Sequence, residues 1–198
     1  LHDALPISGK VKGPLIYANF GSREDFKRLK DSGIDTKGAI ALVKYFGTQS
    51  DRSLKVKAAE QAGFAGCIIY SDPAEDGFTK GKSWPDGRFM PADGVQRGSV
   101  GLMSWVIGDV LTPGWASVKG AERLPVANNP GLNKIPSIPL AWRDAQILLQ
   151  SLKGHGQAVP PEWKGGVPDV EWWTGDLTSP VVRLINEQDE VEQDRKST

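Results

Sequence analysis

Few side chains in this sequence could carry metal or nucleophilic chemistry. The histidines are His2 and His155, and Cys67 is the single cysteine. A hydrolytic zinc site needs three or more His, Asp, Glu or Cys ligands and a positioned base. His155 stands between two glycines without a second histidine near it, which favours a solvated loop residue over a ligand. No G-x-S-x-G elbow, phosphate-binding loop or Cys/His pair occurs. The sequence therefore does not encode a complete hydrolytic site.

A candidate nucleophile and a candidate cation site each have a simpler structural explanation. Cys67 lies inside the apolar run Ala65–Tyr70, so a packed thiol is favoured over a nucleophile. Asp72, Glu75 and Asp76 are close enough in sequence to suggest a cation site. Asp72 precedes a proline, however, and Asp-Pro favours turn chemistry after a strand.

The elements that would position these residues follow an α/β pattern. Ala65–Tyr70 is typical of a strand buried on both faces, and the helical pattern before it ends at Gly63. Ser22 can cap a helix by accepting from the amide of Asp25. The pattern predicts helices near residues 22–32, 54–63 and 143–153, and strands within Lys10–Phe20, Gly38–Phe46, Ala65–Tyr70 and Val181–Ile185, with an extended edge element at Lys134–Trp142. The predicted core is Ile16, Ile40, Leu42, Val43, Ala59, Ala62, Ile68, Ile69, Leu148 and Leu149.

Composition narrows the class of protein. The 24 Lys and Arg residues balance the 24 Asp and Glu residues, which argues against a nucleic-acid partner because such a module needs a basic face. Residues 76–115 are rich in Gly, Pro and Trp, and long irregular stretches of this kind are usually binding loops. The expectation is an α/β domain with a mixed sheet and long Gly/Pro/Trp-rich loops.

Both termini match translated sequencing adaptors. LHDALPIS, residues 1–8, is encoded by one common short-read adaptor, and DRKST, residues 194–198, by the opposing one. We expect both stretches to pack against nothing. Residues 9–193 are expected to be genuine protein.

Several long motifs in one order resemble a known family. AAEQAGFAGCIIYSDPAEDG, WPDGRFMPADGVQRG, GDVLTPGW and IPSIPLAWRDAQILL resemble the protease-associated (PA) domain, and more closely the apical domain of the glutamate carboxypeptidase II and transferrin receptor family. The resemblance implies a PA-like mixed β-sheet or open sandwich flanked by helices. It implies a PA domain over residues 9–180 and the start of a protease-like domain at 181–193.

The resemblance also implies a role for the domain. In this family the apical domain forms a lid over a catalytic centre with two zinc ions, whose ligands lie in the protease-like domain; the fragment itself would hold no cofactor and be inactive alone. The family's arginine that binds a substrate carboxylate falls on Arg52, although a solvated arginine is the alternative reading. Its pocket asparagine falls on Ser99, a departure that puts the family's glutamate preference in doubt.

Calcium and partners are further implications of the family. Its Leu-Thr-Pro-Gly-aromatic turn, which contributes oxygens to a structural calcium, is present with Thr112 and Trp115 as the expected partial ligands. The expected partners are the parent's own protease-like domain, a peptide with a free C-terminal carboxylate, and a second copy of the parent as a homodimer. The expected location is the lumenal or extracellular part of a single-pass membrane protein.

Three readings remain open on the sequence. The first is the apical domain of a glutamate carboxypeptidase-like zinc exopeptidase. The second is the same domain in a non-enzymatic receptor or sorting protein, as transferrin receptors are. The third is an unrelated α/β binding domain. Arg52 favours the first, and Ser99 weakens its substrate assignment.

Overall fold

The computed structural model describes residues 7–49 and 51–188. Its strands and helices alternate through most of the chain. The strands are β1 (Gly9–Tyr17), β2 (Ile40–Lys44), β3 (Gly66–Tyr70), β4 (Ser137–Leu140) and β5 (Val181–Asn186). The helices are α1 (Arg23–Asp31), α2 (Arg52–Gln61), α3 (Pro73–Asp76) and α4 (Trp142–Ser151). No described helix is long and apolar enough to cross a bilayer.

All five strands form one mixed sheet in the order β4-β3-β2-β1-β5. The first four strands pair in parallel, and β5 pairs antiparallel with β1. Every residue of β2 and of β3 is buried, because strands inside a parallel sheet have both faces covered. The α/β fold with a mixed sheet is therefore confirmed, and β4 lies at an edge of the sheet as predicted.

Local signals explain where the helices begin and end. Ser22 accepts from the amide of Asp25, and the Asp25 side chain accepts from the amide of Ser22, which closes the capping box. Gly33 and Gly63 follow α1 and α2 in left-handed conformations, with φ of 79° and 89°. The helix predicted at 54–63 instead begins at Arg52, because the Asp51 side chain caps it by accepting from the amide of Ser53.

The core closely follows the predicted one. Eight of the ten predicted core residues are buried, and the other two, Ala62 and Leu148, are partly buried and pack against the same cluster. The sheet contributes most of this cluster, with Leu15, Ile16 and Leu42 fully enclosed.

Two of the sequence predictions concern the ends of the chain and of the domain. The expectation that residues 1–8 pack against nothing is wrong for the last two: Ile7 accepts a hydrogen bond from Asn186, and Ser8 bonds Gln188, because both continue the pairing of β1 with β5. Residues 1–6 and 194–198 lie outside the described residues. The assignment of 181–193 to a following domain stays a prediction, and the structure shows that residues 181–186 complete this sheet.

Candidate functional site

The candidate site lies where the chain leaves β2 and enters α2. The carboxyl ends of the parallel strands meet at this edge of the sheet, the usual location of binding sites in α/β proteins. Between α3 and β4 the chain makes turns and one short 3-10 helix, Val126–Asn128, without a described strand. We call residues 77–136 the long loop, and part of it packs against the start of α2.

Arg52 and Ser99 lie side by side, although 47 residues separate them in sequence. The Arg52 Nε–H donates to the Ser99 carbonyl at 3.2 Å. The guanidinium lies so close to Gly98 that a Cβ there would come within 2.1 Å of Nη2. Glycine at position 98 therefore allows the arginine to lie flat against the loop backbone.

The structure corrects two details of the Arg52 prediction. Arg52 is the first residue of a helix rather than a loop residue. Its guanidinium is held by a backbone carbonyl rather than left free, because the loop at Ser99 packs onto it. No ion pair joins it to an acidic side chain within residues 7–49 and 51–188.

Asp51 fastens the long loop to the same helix end. Its carboxylate accepts from Ser53 through one oxygen and from the Ser104 hydroxyl, at 2.7 Å, through the other. Burial opposes ionisation of Asp51, but the hydrogen bonds from Ser104 and Ser53 and the neighbouring Arg52 charge outweigh it. The pKa of Asp51 therefore lies below its ordinary value.

Tyr45 and Asn133 attach the loop on either side of this contact. The Tyr45 hydroxyl donates to the Gln96 carbonyl at 2.6 Å, and burial raises the pKa of Tyr45 to about 12, so it remains a donor at neutral pH. The Asn133 side-chain amide donates to the carbonyls of Val100 and Ser53, at 2.8 and 3.3 Å. The residues around Ser99 are thus fixed from several directions.

Two buried lysines lie behind this site. Lys55 and Lys44 are 0% and 1% exposed. The Lys55 ammonium donates to the carbonyls of Phe20 and Phe46, and the Lys44 ammonium lies 4.1 Å from the centre of the Phe20 ring. Burial lowers the pKa of Lys55 to about 8.

Comparison with known proteins assigns the fold. Residues 11–101 match the PA domain family. The chain contains a PA domain. It is 38% identical over 164 residues to aminopeptidase NAALADL1 of Rattus norvegicus. This match covers 80% of this chain and 21% of that protein. It is 43% identical over 152 residues to a probable glutamate carboxypeptidase, LAMP1, of Arabidopsis thaliana; the match covers 74% of this chain and 21% of that protein.

A third relative differs in its stated activity. An inactive zinc metalloprotease of Schizosaccharomyces pombe is 34% identical over 193 residues, covering 96% of this chain and 24% of that protein. The PA domain and its flanking residues thus span between 21% and 24% of the length of these relatives.

The residues predicted as partial calcium ligands, Thr112 and Trp115, lie in one turn of this PA domain chain, and their role stays a prediction. The Thr112 hydroxyl is fully enclosed by protein, and the Thr112 carbonyl accepts from the Trp115 amide. The Trp115 indole donates to the Glu122 carbonyl, so the ligand atom expected from Trp115 is its backbone carbonyl. No group of three or more metal-ligating His, Cys, Asp or Glu side chains occurs in the described residues. Calcium wants six to eight oxygens, so this turn alone does not make a calcium site.

The acidic cluster after β3 is structural. Asp72 is fully buried, and its carboxylate accepts from Tyr70, from the Ala74 amide at the start of α3, and from Gly166. These donors occupy the oxygens that a cation would need, so the alternative of turn chemistry is the correct one.

The remaining candidates of the sequence are also accounted for. Cys67 is fully buried, and burial raises the pKa of its thiol to about 12, which makes it a packed thiol. His155 is partly buried in the loop after α4, where its ring lies 3.1 Å from the Thr178 hydroxyl.

Sequence reasoning missed Asp51, Tyr45, Lys55 and Asn133. Asp51 had a readable signal, since an aspartate directly before a helical pattern is typical of a helix N-cap. The other three act through contacts with chain segments far away in sequence, which leave no local pattern.

Proposed function

We propose that this PA domain is the lid and substrate-binding module of a zinc exopeptidase of the glutamate carboxypeptidase kind. The observation that carries the proposal is the pairing of Arg52 with Ser99 at an edge fixed by Asp51, Tyr45 and Asn133. The zinc ions would be held by the part of the parent beyond this chain, which spans about a fifth of its relatives. The domain alone would therefore not hydrolyse peptides.

Arg52 has the chemistry to bind a substrate carboxylate. Among the described residues, the Arg52 side chain donates through Nε to the Ser99 carbonyl. The two Nη groups can then meet a carboxylate in a bidentate pair, which the planar guanidinium favours. The bond to Ser99 reduces the freedom that the side chain would lose on binding.

Ser99 indicates which part of a substrate is recognised. Its hydroxyl accepts from the Gly101 amide at 3.1 Å, so it stabilises the local turn. A serine reaches less far than the asparagine that the resembled family has here. We therefore propose the free C-terminal carboxylate, rather than a glutamate side chain, as the feature that Arg52 recognises.

The long loop supplies a surface for the rest of the parent. Its apolar side chains are unusually open to solvent; Ile107, Met103 and Val118 are 84%, 66% and 61% exposed. Exposed apolar patches of this kind mark interaction sites. We propose that the parent's protease-like domain covers them, because most of the length of the relatives lies beyond this chain.

Peptidase kinetics on the full-length parent test the carboxylate role. Losing a buried charge-assisted pair costs about 2–5 kcal/mol, so Arg52→Ala should lower kcat/KM by about 30- to several-thousand-fold for a peptide with a free C-terminal carboxylate. The loss should be much smaller for the C-terminal amide of the same peptide. Arg52→Lys should recover only part, since a lysine lacks the fork.

Two variants sharpen this test. Arg97→Ala removes an exposed arginine of the long loop and should leave kcat/KM unchanged. Gly98→Ala keeps Arg52 but places a Cβ in the space of its guanidinium, so it should raise KM for the free-carboxylate peptide. An unaltered preference for the free carboxylate in Arg52→Ala would overturn the proposal.

The second candidate is a non-enzymatic parent with the same domain. It is favoured by the relative named an inactive zinc metalloprotease, which matches 96% of this chain. Zinc content separates the two candidates: a purified parent with stoichiometric zinc and peptidase turnover supports the first, and a parent with neither supports the second.

A further inference from the structure

Lys55 joins the two loops that lead into the candidate site. It lies three residues after Arg52 on α2, and its side chain is fully buried. Its ammonium donates to the Phe20 carbonyl, just after β1, at 2.6 Å and to the Phe46 carbonyl, just after β2, at 2.5 Å. One charged group therefore fixes the exits of two neighbouring strands.

The backbone at these exits has an unfavourable conformation that needs support. Phe46 has a φ of 68°, a left-handed value that costs energy for a bulky residue, and Gly47 follows with 81°. The Phe20 ring occupies the space beside Gly47, where an added Cβ would come within 2.6 Å of it. The Lys44 ammonium lies over the same ring. The turn at Phe46 and Gly47 is thus held by Lys55 and by the Phe20 ring.

We propose that Lys55 is a positioning residue for Arg52: its ammonium holds the turn at Phe46 and Gly47, which leads into α2, so that the Arg52 guanidinium meets Ser99. This inference rests on the proposed function, in which Arg52 binds substrate. Arg52 starts the helix that contains Lys55, so a change at the buried anchor moves the helix end that carries the guanidinium.

The electrostatic surroundings of Lys55 make it lose its charge at a lower pH than a free lysine. Burial, the largest effect, and Lys44 on β2 disfavour the charged form, whereas Asp25 on α1 favours it. The Cys67 thiol on β3 is neutral in this range because its own pKa is about 12. The folded pKa of about 8 lies below that of a free lysine, ~10.4. Between these values the unfolded chain binds more protons than the folded one, so this group's contribution to stability rises with pH. A change at Arg52 in that window reports positioning when the far-UV circular dichroism of the chain stays unchanged.

The experiment is a pH titration of the 198-residue chain followed by nuclear magnetic resonance, from about pH 7 to about pH 10. The Cε resonance of Lys55 and the Cδ–Hδ resonances of Arg52 are recorded together. The expected result is that Arg52 shifts with the midpoint of Lys55, while the exposed Arg97 does not shift at that midpoint. The neutral amine keeps two N–H donors, so the titration tests the charge of Lys55; its titration with an unmoved Arg52 would overturn the proposal that the ammonium charge holds the turn.

Variants provide a second measurement at neutral pH. Lys55→Met keeps the side-chain length but removes the donor, and should shift the Arg52 Nε–H resonance toward that of a solvated arginine. Lys153→Met removes an exposed lysine whose ion pair is with Glu171 and not with this turn, and should leave that resonance in place. Lys55→Arg should retain part of the native shift. An unchanged Arg52 resonance in a folded Lys55→Met chain would contradict the inference.

These readouts separate the inference from the proposed function. If Lys55→Met fails to fold, the titration of the unmodified chain still decides the matter. Because neither measurement uses peptide hydrolysis, the inference can fail while Arg52→Ala still abolishes carboxylate preference. If Arg52 proves to have no role in the parent's activity, the proposed function fails, and these measurements still show whether Lys55 positions the guanidinium.

Discussion

Different kinds of contact stabilise the sheet and the long loop. In the sheet, β2 and β3 are buried at every position, and their apolar side chains form the centre of the core. In the loop, large apolar side chains such as Ile107 and Met103 face solvent. Around the site, single polar bonds fasten the loop to its neighbours: Tyr45, just after β2, bonds Gln96, and Asn133 bonds Ser53 on α2.

This difference teaches how the domain can combine a rigid base with an adjustable surface. Burial of apolar area is distributed over many residues, so the sheet resists local change. A few hydrogen bonds, each worth about 0.5–1.5 kcal/mol, can be broken one at a time. The loop around Ser99 can therefore open locally, once these bonds break, while the sheet stays folded.

The largest effect on stability is expected for a substitution in the core of the sheet. Replacing Ile69, 2% exposed in β3, by Ala should lower the free energy of unfolding by about 2–5 kcal/mol, because it leaves a cavity in the sheet. Chemical denaturation measures this change. The matched control is Ile147→Ala on α4, where the side chain is 68% exposed and the cost should stay within about 0.5 kcal/mol. Equal costs at the two sites would contradict the assigned core.

A smaller effect is expected for Asn133, which joins two parts of the long loop and bonds the loop to α2. Asn133→Ala leaves the carbonyls of Val100 and Ser53 without this donor, which should cost about 1–3 kcal/mol. Amide exchange near Val100 should accelerate more than exchange in β3. Asn128→Ala, at an exposed position of the same loop, serves as the control. Equal acceleration in β3 would show that loop and sheet form one cooperative unit.

Tyr45→Phe should act on the loop with a still smaller cost. It removes the bond to the Gln96 carbonyl but keeps the ring in the core, so we expect a loss of about 0.5–1.5 kcal/mol. Hydrogen exchange near Gln96 should report the change while β2 stays protected. If protection near Gln96 is unaffected, the bond does not hold the loop.

The weakest expected effect is the response of the Asp51 contact to acid. The folded pKa of Asp51 lies below its unfolded value of ~3.9, so its contribution to stability is present above that value and is lost as the pH falls through the folded pKa. Exchange near Ser104 should therefore rise in this acidic window before the sheet opens. Asp51→Asn should remove most of this pH dependence, and its persistence would point to another carboxylate.

The sequence predicts the two regions unequally, for a physical reason. Strands such as β3 and the cap at Ser22 depend on neighbours in the chain, so periodicity and capping residues reveal them. The contact between Arg52 and Ser99 joins distant segments through a backbone carbonyl, which any residue at position 99 could offer. Family resemblance singled out both residues, but not the bond between them. The role of Lys55 was hidden in the same way, because a lysine in a helical pattern usually faces solvent.

The central claim is that Arg52, held against Ser99, binds the terminal carboxylate of a peptide. A crystal structure of the full-length parent with a product amino acid bound tests it most directly. The account predicts two short contacts of about 2.7–2.9 Å between the Arg52 Nη atoms and the carboxylate oxygens, with Nε still near the Ser99 carbonyl. A product whose carboxylate is bound elsewhere, with Arg52 facing solvent or the protease-like domain, would contradict it.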